Sequence, residues 1–524
     1  MSKAIYIFLI GILVSMSSCR KDFDTIPSPG NLEFSKQTVY LDTVFSDIGS
    51  STYMLKVYNR SSKDITIPSV KLLRPDSKYR LMIDGLTGVD ADNSGQGDGK
   101  IFPNVELLAK DSLFIFIETT ANIADASPTD FLYTDEIQFE SINGIQKVNL
   151  VTLIQDAIFL YPEIYANGTR ETLYLGNNGQ GESIDINGFE LNENDPIHGD
   201  ELHFTKDKPY VIYGYAGIPD TKTLIVDPGA KVYFHADSGL IAQPGGTLII
   251  NGTTSTNNQN PLENEVTFEG DRLEPSFEET PGQWGTVWLR QGSINNNINH
   301  LTLKNATVGL LVENAPLNIN NSQIYNSSNV GILARTAIIT SANLVINLAG
   351  QACLAAVGGS YEFTHCTFNN NWGSPKQVCV QLSNFEENPD QSISFSALNQ
   401  ANFRNSIIYG NNNVELFLNH SSDTSVPFTT DFRNCLVKFR DAGTGVEDDP
   451  FYYQLRNESD GNKKNEDPDF FNANRNKLNI APESFAAAKG DPFYLSGNTF
   501  SDILGIPRTT PPDLGAYQSA AFPQ

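Results

Sequence analysis

The chain is short of basic residues and has no long apolar run after its N-terminus, and each shortage excludes a class of protein. Lys and Arg number 35 against 61 Asp and Glu, which gives a formal net charge of −26 at pH 7. Such a surface repels nucleic acid and anionic lipid, so neither is expected as a partner. Beyond the N-terminus, no stretch has the ~20 apolar residues that a membrane-spanning helix needs.

Cysteine is also scarce, with five residues in 524. No CxxC pair occurs and no histidine stands at metal-ligand spacing beside a cysteine, which excludes a cysteine-based zinc site. A disulfide is compatible with an exported protein, but a chain of this length builds its core without one. We therefore expect no cofactor and four buried free thiols: Cys353, Cys366, Cys379 and Cys435.

The N-terminus, "MSKAIYIFLIGILVSMSSC", has the pattern of an export signal. A positive Lys3 precedes an apolar run over 4–14, and Ser17 and Ser18 come directly before Cys19. The end of this stretch resembles a bacterial lipobox, although methionine stands where leucine is usual. We predict a signal peptide over 1–18 and a lipid on Cys19. The alternative is an ordinary secretory signal that is followed by an incidental cysteine.

The residues after Cys19, "RKDFD", resemble the tag that follows the lipidated cysteine in surface-exported lipoproteins of the Bacteroidetes. The resemblance implies a protein that is lipid-anchored in the outer membrane and faces the cell exterior. Residues 19–31 then form the tether. The segment 32–156 contains about seven short strand patterns, which are typical of an immunoglobulin-like β-sandwich. It resembles the hydin-type variety of that fold.

A loop inside the predicted sandwich partly matches a calcium-binding template. In "DADNSGQGDG", Asp90, Asp92, Ser94 and Asp98 occupy positions 1, 3, 5 and 9 of the template. Position 12 requires a bidentate glutamate, but Ile101 stands there. We interpret the segment as a polar hairpin loop, with Ca²⁺ as the alternative.

The remainder of the chain carries a coarse repeat that is rich in asparagine. Aligning "TLKNATVGLLV", "QIYNSSNVGILA", "LVINLAGQACLA" and "CTFNNNWG" places Asn305, Asn326, Asn347 and Asn369 at equivalent points, 21 to 22 residues apart. One such unit cannot bury its apolar face alone, so the units must stack. Asparagines at one corner suit a ladder of amide hydrogen bonds at left-handed turns. The repeat therefore predicts a parallel β-helix.

The end of the chain, "ILGIPRTTPPDLGAYQ", matches the terminal signature of right-handed β-helix proteins. We expect Arg508 to bond Asp502 or Asp513 and so to cover the last coil. Residues 200–524 resemble the right-handed parallel β-helix repeat family of Bacteroidetes cell surfaces, which shares the pectate-lyase-like fold, with 157–199 as linker and first part of the helix. The whole chain is thus predicted to be all-β.

Catalysis on the helix face would need convergent carboxyl groups, and the most regular coils have few. Between Gly285 and Gln381 there is no aspartate, and Glu313 and Glu362 fall at different points of the coil. A hydrolase needs two carboxyl groups ~5–10 Å apart. If the protein is an enzyme, the best set lies beside the repeat in the insert 269–293: Asp271, Arg272 and Glu274, with Arg290.

The tryptophans of "PGQWGTVWLRQGS" offer a different chemistry. Trp288 alternates with inward-facing residues, and Trp284 precedes the strand in a turn. Exposed aromatic rings stack on the apolar faces of sugars, and Arg290 would supply hydrogen bonds. Trp372 would continue this ledge several coils away. The alternative is that the tryptophans only pack the insert against the helix wall.

These patterns favour a binding or structural protein over an enzyme. The partner expected is a polysaccharide or a surface protein, and the oligomeric state is left open. The alternatives are a polysaccharide lyase or glycoside hydrolase acting at the 269–293 insert, and an adhesin that binds protein through a flat apolar patch.

Overall fold

The computed structural model describes residues 24–90, 95–256, 262–388 and 390–522. The chain divides between Asp156 and Ala157 into two compact units. In both, nearly all the regular secondary structure is β-strand. Within the described ranges, no helix has the length and apolar character required to cross a bilayer. The prediction of an all-β fold is confirmed.

The first unit consists of two sheets that share one hydrophobic core. Strands β1, β3, β5, β7, β9 and β10 form one sheet, and β2, β4, β6 and β8 form the other. The ten strands are β1 Ile26–Pro27, β2 Glu33–Phe34, β3 Thr38–Phe45, β4 Tyr53–Tyr58, β5 Ile65–Leu72, β6 Tyr79–Ile83, β7 Ile101–Leu107, β8 Ser112–Thr119, β9 Leu132–Ser141 and β10 Gly144–Gln155.

Alternation along these strands explains the packing of the two sheets. Leu113, Ile115 and Ile117 of β8 are buried at every second position. They meet inward residues of the other sheet, such as Ile67 and Phe139, in a single core. A period of two places all apolar side chains of a strand on one face, so each sheet must cover the other. The unit is therefore a β-sandwich.

The second unit is a stack of three-sided coils. Its strands are β11 Ile158–Leu160, β12 Thr172–Asn177, β13 Ser183–Glu190, β14 His203–Phe204, β15 Tyr210–Ile212, β16 Tyr215–Ile218, β17 Thr223–Val226, β18 Lys231–Phe234, β19 Gly239–Ala242, β20 Thr247–Asn251, β21 Val266–Gly270, β22 Val287–Leu289, β23 Asn296–Asn299, β24 Leu301–Lys304, β25 Val308–Glu313, β26 Pro316–Asn320, β27 Gln323–Ser327, β28 Val330–Arg335, β29 Ile338–Ala342, β30 Val345–Ala349, β31 Ala352–Val357, β32 Gly359–Thr364, β33 Thr367–Asn370, β34 Val378–Ser383, β35 Phe385–Glu387, β36 Ile393–Phe395, β37 Leu398–Arg404, β38 Ile407–Gly410, β39 Leu416–Asn419, β40 Phe428–Arg433, β41 Leu436–Val437, β42 Lys463–Lys464, β43 Phe470–Asn472 and β44 Lys477–Ile480.

Each turn of the coil adds one strand to each of three long sheets, with eleven, ten and nine strands. Apart from the antiparallel pair of β12 and β13, the paired strands of these sheets are parallel, and in the regular coils they are in register, as in the row Leu310, Ile332 and Leu354. These three side chains point inward and are fully buried in one core that runs through the stack. The prediction of a parallel β-helix is confirmed.

The asparagine ladder forms, but it is broken into two pairs that are offset by one residue. Asn326 donates to Asn305 Oδ1 at 3.3 Å, and Asn369 donates to Asn347 Oδ1 at 2.9 Å. The strand register matches Asn326 to Leu348 rather than to Asn347. The predicted equivalence of all four asparagines is therefore wrong. Two of them, Asn305 and Asn326, have the expected left-handed φ of 65° and 56°.

The segment 470–518, which we call the C-terminal strap, lies along the outer face of the eleven-stranded sheet. Leu478, Ile503 and Tyr517 pack on Val345, and Leu514 packs on the outward side of Ile407. Because these contacts spread over several coils, the strap covers a flank of the helix and not its end.

The predicted role of Arg508 as a cap of the last coil is wrong. Its Nη2 donates to Asn343 Oδ1 at 2.8 Å and to Gly515 O at 2.9 Å. The carboxylates of Asp502 and Asp513 instead accept backbone N–H groups within the strap. The closeness of these residues in the sequence suggested an ion pair, but both carboxylates are instead bonded to backbone N–H groups of nearby turns.

The downstream end of the β-helix is closed by a short helical segment. It consists of a 3₁₀ turn over Pro450–Tyr452 and the α-helix Tyr453–Arg456. Tyr452 stacks on Phe439 with ring centroids 5.1 Å apart, and Leu455 is buried in the same core. Further 3₁₀ turns occur at Ile123–Asp125, Ala473–Arg475, Pro492–Tyr494 and Gly497–Phe500.

Candidate functional site

The insert after β21, residues 271–283, forms a loop at a corner of the β-helix. Asp271 Oδ2 lies 2.8 Å from Nδ1 of His235, in the neighbouring coil. The guanidinium of Arg272 contacts Glu274 Oε1 at 2.9 Å and lies 4.0 Å from the ring centre of Phe277. Burial raises the pKa of Asp271, and the hydrogen bond from His235 opposes this shift. Asp271 is thus bonded to His235 and also lies within the electrostatic influence of Arg272, which is itself bonded to Glu274.

Backbone and amide contacts fasten this insert to the asparagine corner below it. Asn305 Nδ2 donates to Glu278 O, and Asn326 Nδ2 donates to Glu279 Oε2, both at 2.9 Å. The amide of Gln283 donates to two carbonyl groups of the insert itself. The backbone carbonyl of Glu278 and the carboxylate of Glu279 thus act as the acceptors that hold the loop on the helix.

Trp284 belongs to the core. It is 1% exposed and stacks on Phe234 with ring centroids 4.3 Å apart. Its indole N–H donates to Lys304 O at 2.9 Å. The prediction of an exposed aromatic ledge is wrong at this position, because the ring fills the coil interior where the insert rejoins the helix.

Trp288 lies on the outer face of the ten-stranded sheet, as predicted from the alternation with Val287 and Leu289. Those two neighbours are buried, whereas Trp288 is only partly buried. In register, it continues a row from Ile241 to Leu311. We call Trp288, Leu311, Leu333 and Ala355 the outer row, since the same register and the same outward orientation extend over four coils.

Polar groups fix the ring of Trp288 from two sides. Its indole Nε1 donates to Glu313 Oε2 at 2.8 Å. The guanidinium carbon of Arg290 lies 5.4 Å from the ring centre, within the range of a cation–π contact. Arg290 also donates to Leu175 O and to Gln243 Oε1, and its partial burial lowers its pKa. The ring is thus held in one orientation.

A chain of ion pairs borders the outer row. Arg335 contacts Glu313 Oε1 at 3.3 Å and Glu386 Oε1 at 3.0 Å. Glu313 and Arg335 are in-register neighbours, 22 residues apart. That period was visible in the sequence and could have revealed the pair. The convergence of Glu386 could not be predicted, because it depends on the hairpin of β35 and β36.

The two glutamates of the regular coils lie on different sheets. Glu313, on the ten-stranded sheet, has its carboxylate paired with Arg335. Glu362, the other glutamate of the regular coils, lies on the nine-stranded sheet beside Asn402. Glu313 and Glu362 therefore do not converge, as expected from their spacing.

Trp372 is separated from Trp288. It lies in the turn between β33 and β34, next to Gly350. It is four coils from Trp288, roughly 19 Å at ~4.8 Å per coil. The structure does not combine the two rings into one ledge.

The residues of the predicted calcium loop either make local hydrogen bonds or lie outside the residues that the structure describes. Asp90 Oδ2 accepts the N–H of Gly95, and Asp98 Oδ1 accepts that of Lys100. Asp92 and Ser94 lie outside the described residues, as do Cys19 and the signal segment.

The prediction of four buried free thiols is confirmed. Burial raises the pKa of Cys366 and of Cys435 to about 12. Thiolates are the reactive form of cysteine, so burial disfavours the reactive form of Cys366 and Cys435 in the folded protein.

A comparison of the whole chain with known protein-family models and with curated proteins found no match.

Proposed function

We propose that this protein is a binding module that recognises a glycan on the outer face of its ten-stranded sheet, at Trp288. The observation that carries the proposal is an indole ring that is partly exposed and held in one orientation by Glu313. A fixed aromatic face with a neighbouring guanidinium suits the apolar face and the hydroxyl groups of a sugar ring. A rigid β-sheet scaffold keeps this arrangement constant.

The outer row provides an extended surface beside the ring. Leu311, Leu333 and Ala355 are partly buried and follow Trp288 from coil to coil. Glu313, Arg335 and Glu386 border the row with hydrogen-bonding groups. A chain of sugars has alternating apolar and polar edges, so a polysaccharide suits this combination better than a flat protein surface does.

We further propose that the protein is lipidated at Cys19 and attached to the outer membrane, facing outward. The lipobox-like stretch and the "RKDFD" tag support this location. On the same resemblance, the sandwich is immunoglobulin-like, of the hydin type, and the β-helix is right-handed. The acidic surface suits a neutral or cationic glycan, since it repels polyanions.

Affinity electrophoresis of residues 20–524 through gels that contain plant, host or bacterial polysaccharides tests the proposal. We expect one polysaccharide to retard the wild type but not Trp288→Ala. Trp372→Ala is the matched control, because it removes a partly buried tryptophan from the same β-helix and should leave the retardation unchanged. Trp288→Phe retains an aromatic face and should retain part of the retardation.

Three outcomes would contradict the proposal. One is that no polysaccharide retards the wild type, which would favour a protein partner. Another is equal loss of retardation in Trp288→Ala and Trp372→Ala while both variants unfold like the wild type in denaturant. The third is degradation of the polysaccharide along the track. That result would favour an enzyme, with Asp271 and His235 as the first residues to substitute.

A further inference from the structure

A loop at the start of the β-helix gathers three residues that are able to bind a metal. It has the sequence "LNENDPIHGDEL", residues 191–202, and connects β13 to β14. Asp195 and Gly199 exchange two backbone hydrogen bonds of 2.8 and 2.9 Å across it. Leu191 and Leu202, at its two ends, are buried in the core of the helix. The loop is thus fastened both internally and to the first coils.

Two carboxylates of this loop face the same ring nitrogen. Nδ1 of His198 lies 3.0 Å from Glu201 Oε1 and 3.3 Å from Asp195 Oδ1. One ligand atom from each of the three residues can be chosen so that all lie within 4.8 Å of one another. The side chains are largely shielded, with 21%, 23% and 8% of their surface exposed for His198, Asp195 and Glu201 respectively.

These spacings suit a tetrahedral cation. Two ligands ~2.1 Å from zinc at a tetrahedral angle are roughly 3.4 Å apart. The distances from Nδ1 to the carboxylates are within a few tenths of an ångström of this value. A cation could therefore be accommodated by small side-chain rotations.

Charge also favours a cation at this point. The imidazole carries at most one positive charge against the two carboxylates of Asp195 and Glu201, so the cluster is negative in either state of the ring. A divalent cation would neutralise both carboxylates.

Backbone groups already orient both carboxylates. Oδ1 of Asp195 accepts the N–H groups of Ile197 and His198 at 2.8 and 2.7 Å. Oε2 of Glu201 accepts the N–H of Asn192 at 3.0 Å. Outer hydrogen bonds of this kind fix ligands in metal sites. Asp195 Oδ1 and Glu201 Oε1, the carboxylate atoms that lie 3.3 and 3.0 Å from His198 Nδ1, are then the atoms that would face the cation.

We propose that Asp195, His198 and Glu201 bind one divalent transition-metal cation of the zinc type, with water completing the coordination. One nitrogen and two oxygen ligands in a compact set favour such a cation over Ca²⁺, which takes six to eight oxygen ligands. The bound cation fastens the loop that begins the β-helix. This site is independent of the glycan surface at Trp288.

Zinc titration of metal-stripped residues 20–524 against a chromogenic chelator tests the proposal. We expect one site per chain, and an affinity that is more than about tenfold weaker in His198→Gln and in Glu201→Gln. His203→Gln is the matched control. Nε2 of His203 lies 2.8 Å from Asp227, so it is also a histidine paired with a carboxylate, but with one carboxylate only. Its substitution should leave the affinity unchanged, and Ca²⁺ should not compete.

Thermal unfolding gives a second readout that does not depend on the chelator. In excess chelator, the wild type and His198→Gln should unfold at the same temperature, which shows that the variant folds. Zinc should raise the midpoint of the wild type and of His203→Gln but not that of His198→Gln. The proposal is wrong if the wild type binds no zinc at a single site, if His198→Gln binds it equally well, or if His203→Gln loses it to the same extent.

Discussion

The outer faces of the eleven-stranded and ten-stranded sheets, which we call the covered flank and the open flank, are built by the same repeat but differ in solvent exposure. The outer face of the eleven-stranded sheet is covered by the C-terminal strap, and its outward residues, such as Val345 and Ile407, are buried. The outer face of the ten-stranded sheet keeps Trp288 and Leu333 partly exposed. The orientation of an apolar residue in this fold therefore does not determine its burial. An outward residue is buried where a distant segment of the chain covers it and is partly exposed where none does.

The covered flank contributes to the stability of the fold, whereas the open flank is available for binding a partner. Residues under the strap contribute to the folding free energy through burial, at roughly 25 cal/mol per Å² of apolar surface. Residues of the outer row remain available to a partner. Substitutions on the covered flank should therefore change stability, and matched substitutions on the open flank should change it little.

The largest effect is expected when the strap loses an apolar contact. Leu514 is 1% exposed and packs on Ile407 and Leu436, so Leu514→Ala should lower the free energy of unfolding by about 2–5 kcal/mol. Leu333→Ala removes the same side-chain atoms from the open flank and should cost less than half as much. Urea denaturation of both variants measures the contrast. Equal losses would show that the ten-stranded face is covered as well.

A buried carboxyl group inside the coil gives the next largest effect, through pH. Burial raises the pKa of Glu415 to about 7, above its ordinary value near 4.3. The folded state then binds this proton more tightly than the unfolded chain does. The stabilisation is complete below about pH 4.3, falls as pH rises, and is lost above about pH 7, a change of roughly 3 kcal/mol.

Glu415→Gln should remove this dependence, since the amide does not ionise. The difference in unfolding free energy between the wild type and Glu415→Gln should shift by roughly 3 kcal/mol between pH 4.3 and pH 8, in favour of the variant at high pH. A constant difference for Glu415→Gln across this range would mean that the coil interior does not isolate the carboxyl group.

The two flanks also differ in what an arginine does. On the covered flank, Arg508→Met leaves Asn343 Oδ1 and Gly515 O without their donor, which should cost about 2 kcal/mol. On the open flank, Arg335→Met breaks partly exposed ion pairs with Glu313 and Glu386, which should cost less than about 1 kcal/mol. Denaturation in low and high salt distinguishes them, because only the second loss should shrink with salt.

The repeat predicted the coil but not the position of every residue in it. Asparagine spacing was enough to predict stacked coils, and alternation placed Trp288 outward. The fate of Trp284 was not predictable, since it depends on how the insert 271–283 folds back onto the corner. Nor was the role of Arg508, because its partner Asn343 is 165 residues away. Contacts that follow from the repeat period can be predicted from the sequence. Contacts made by segments that fold back onto the β-helix cannot.

The smallest expected effect concerns the corner where the two flanks meet. The spacings of 21 residues aligned Asn326 with Asn347, but the register of β27 and β30 is 22 and brings Leu348 to that corner. Leu348 therefore has a left-handed φ of 54°, where Asn305 and Asn326 have 65° and 56°. Leucine is strained in this region by roughly 1–2 kcal/mol, and asparagine tolerates it better.

Leu348→Asn should consequently stabilise the protein, by up to about 1 kcal/mol after the loss of some apolar contact. The same substitution at Leu311, in an outward strand position of the open flank, should give no gain, because its backbone is already extended. Thermal unfolding of the two variants side by side compares them. Destabilisation by Leu348→Asn would mean that the half-buried leucine packs at this corner more strongly than its backbone is strained. Packing would then contribute more than backbone strain to stability at this corner, as it does on the covered flank.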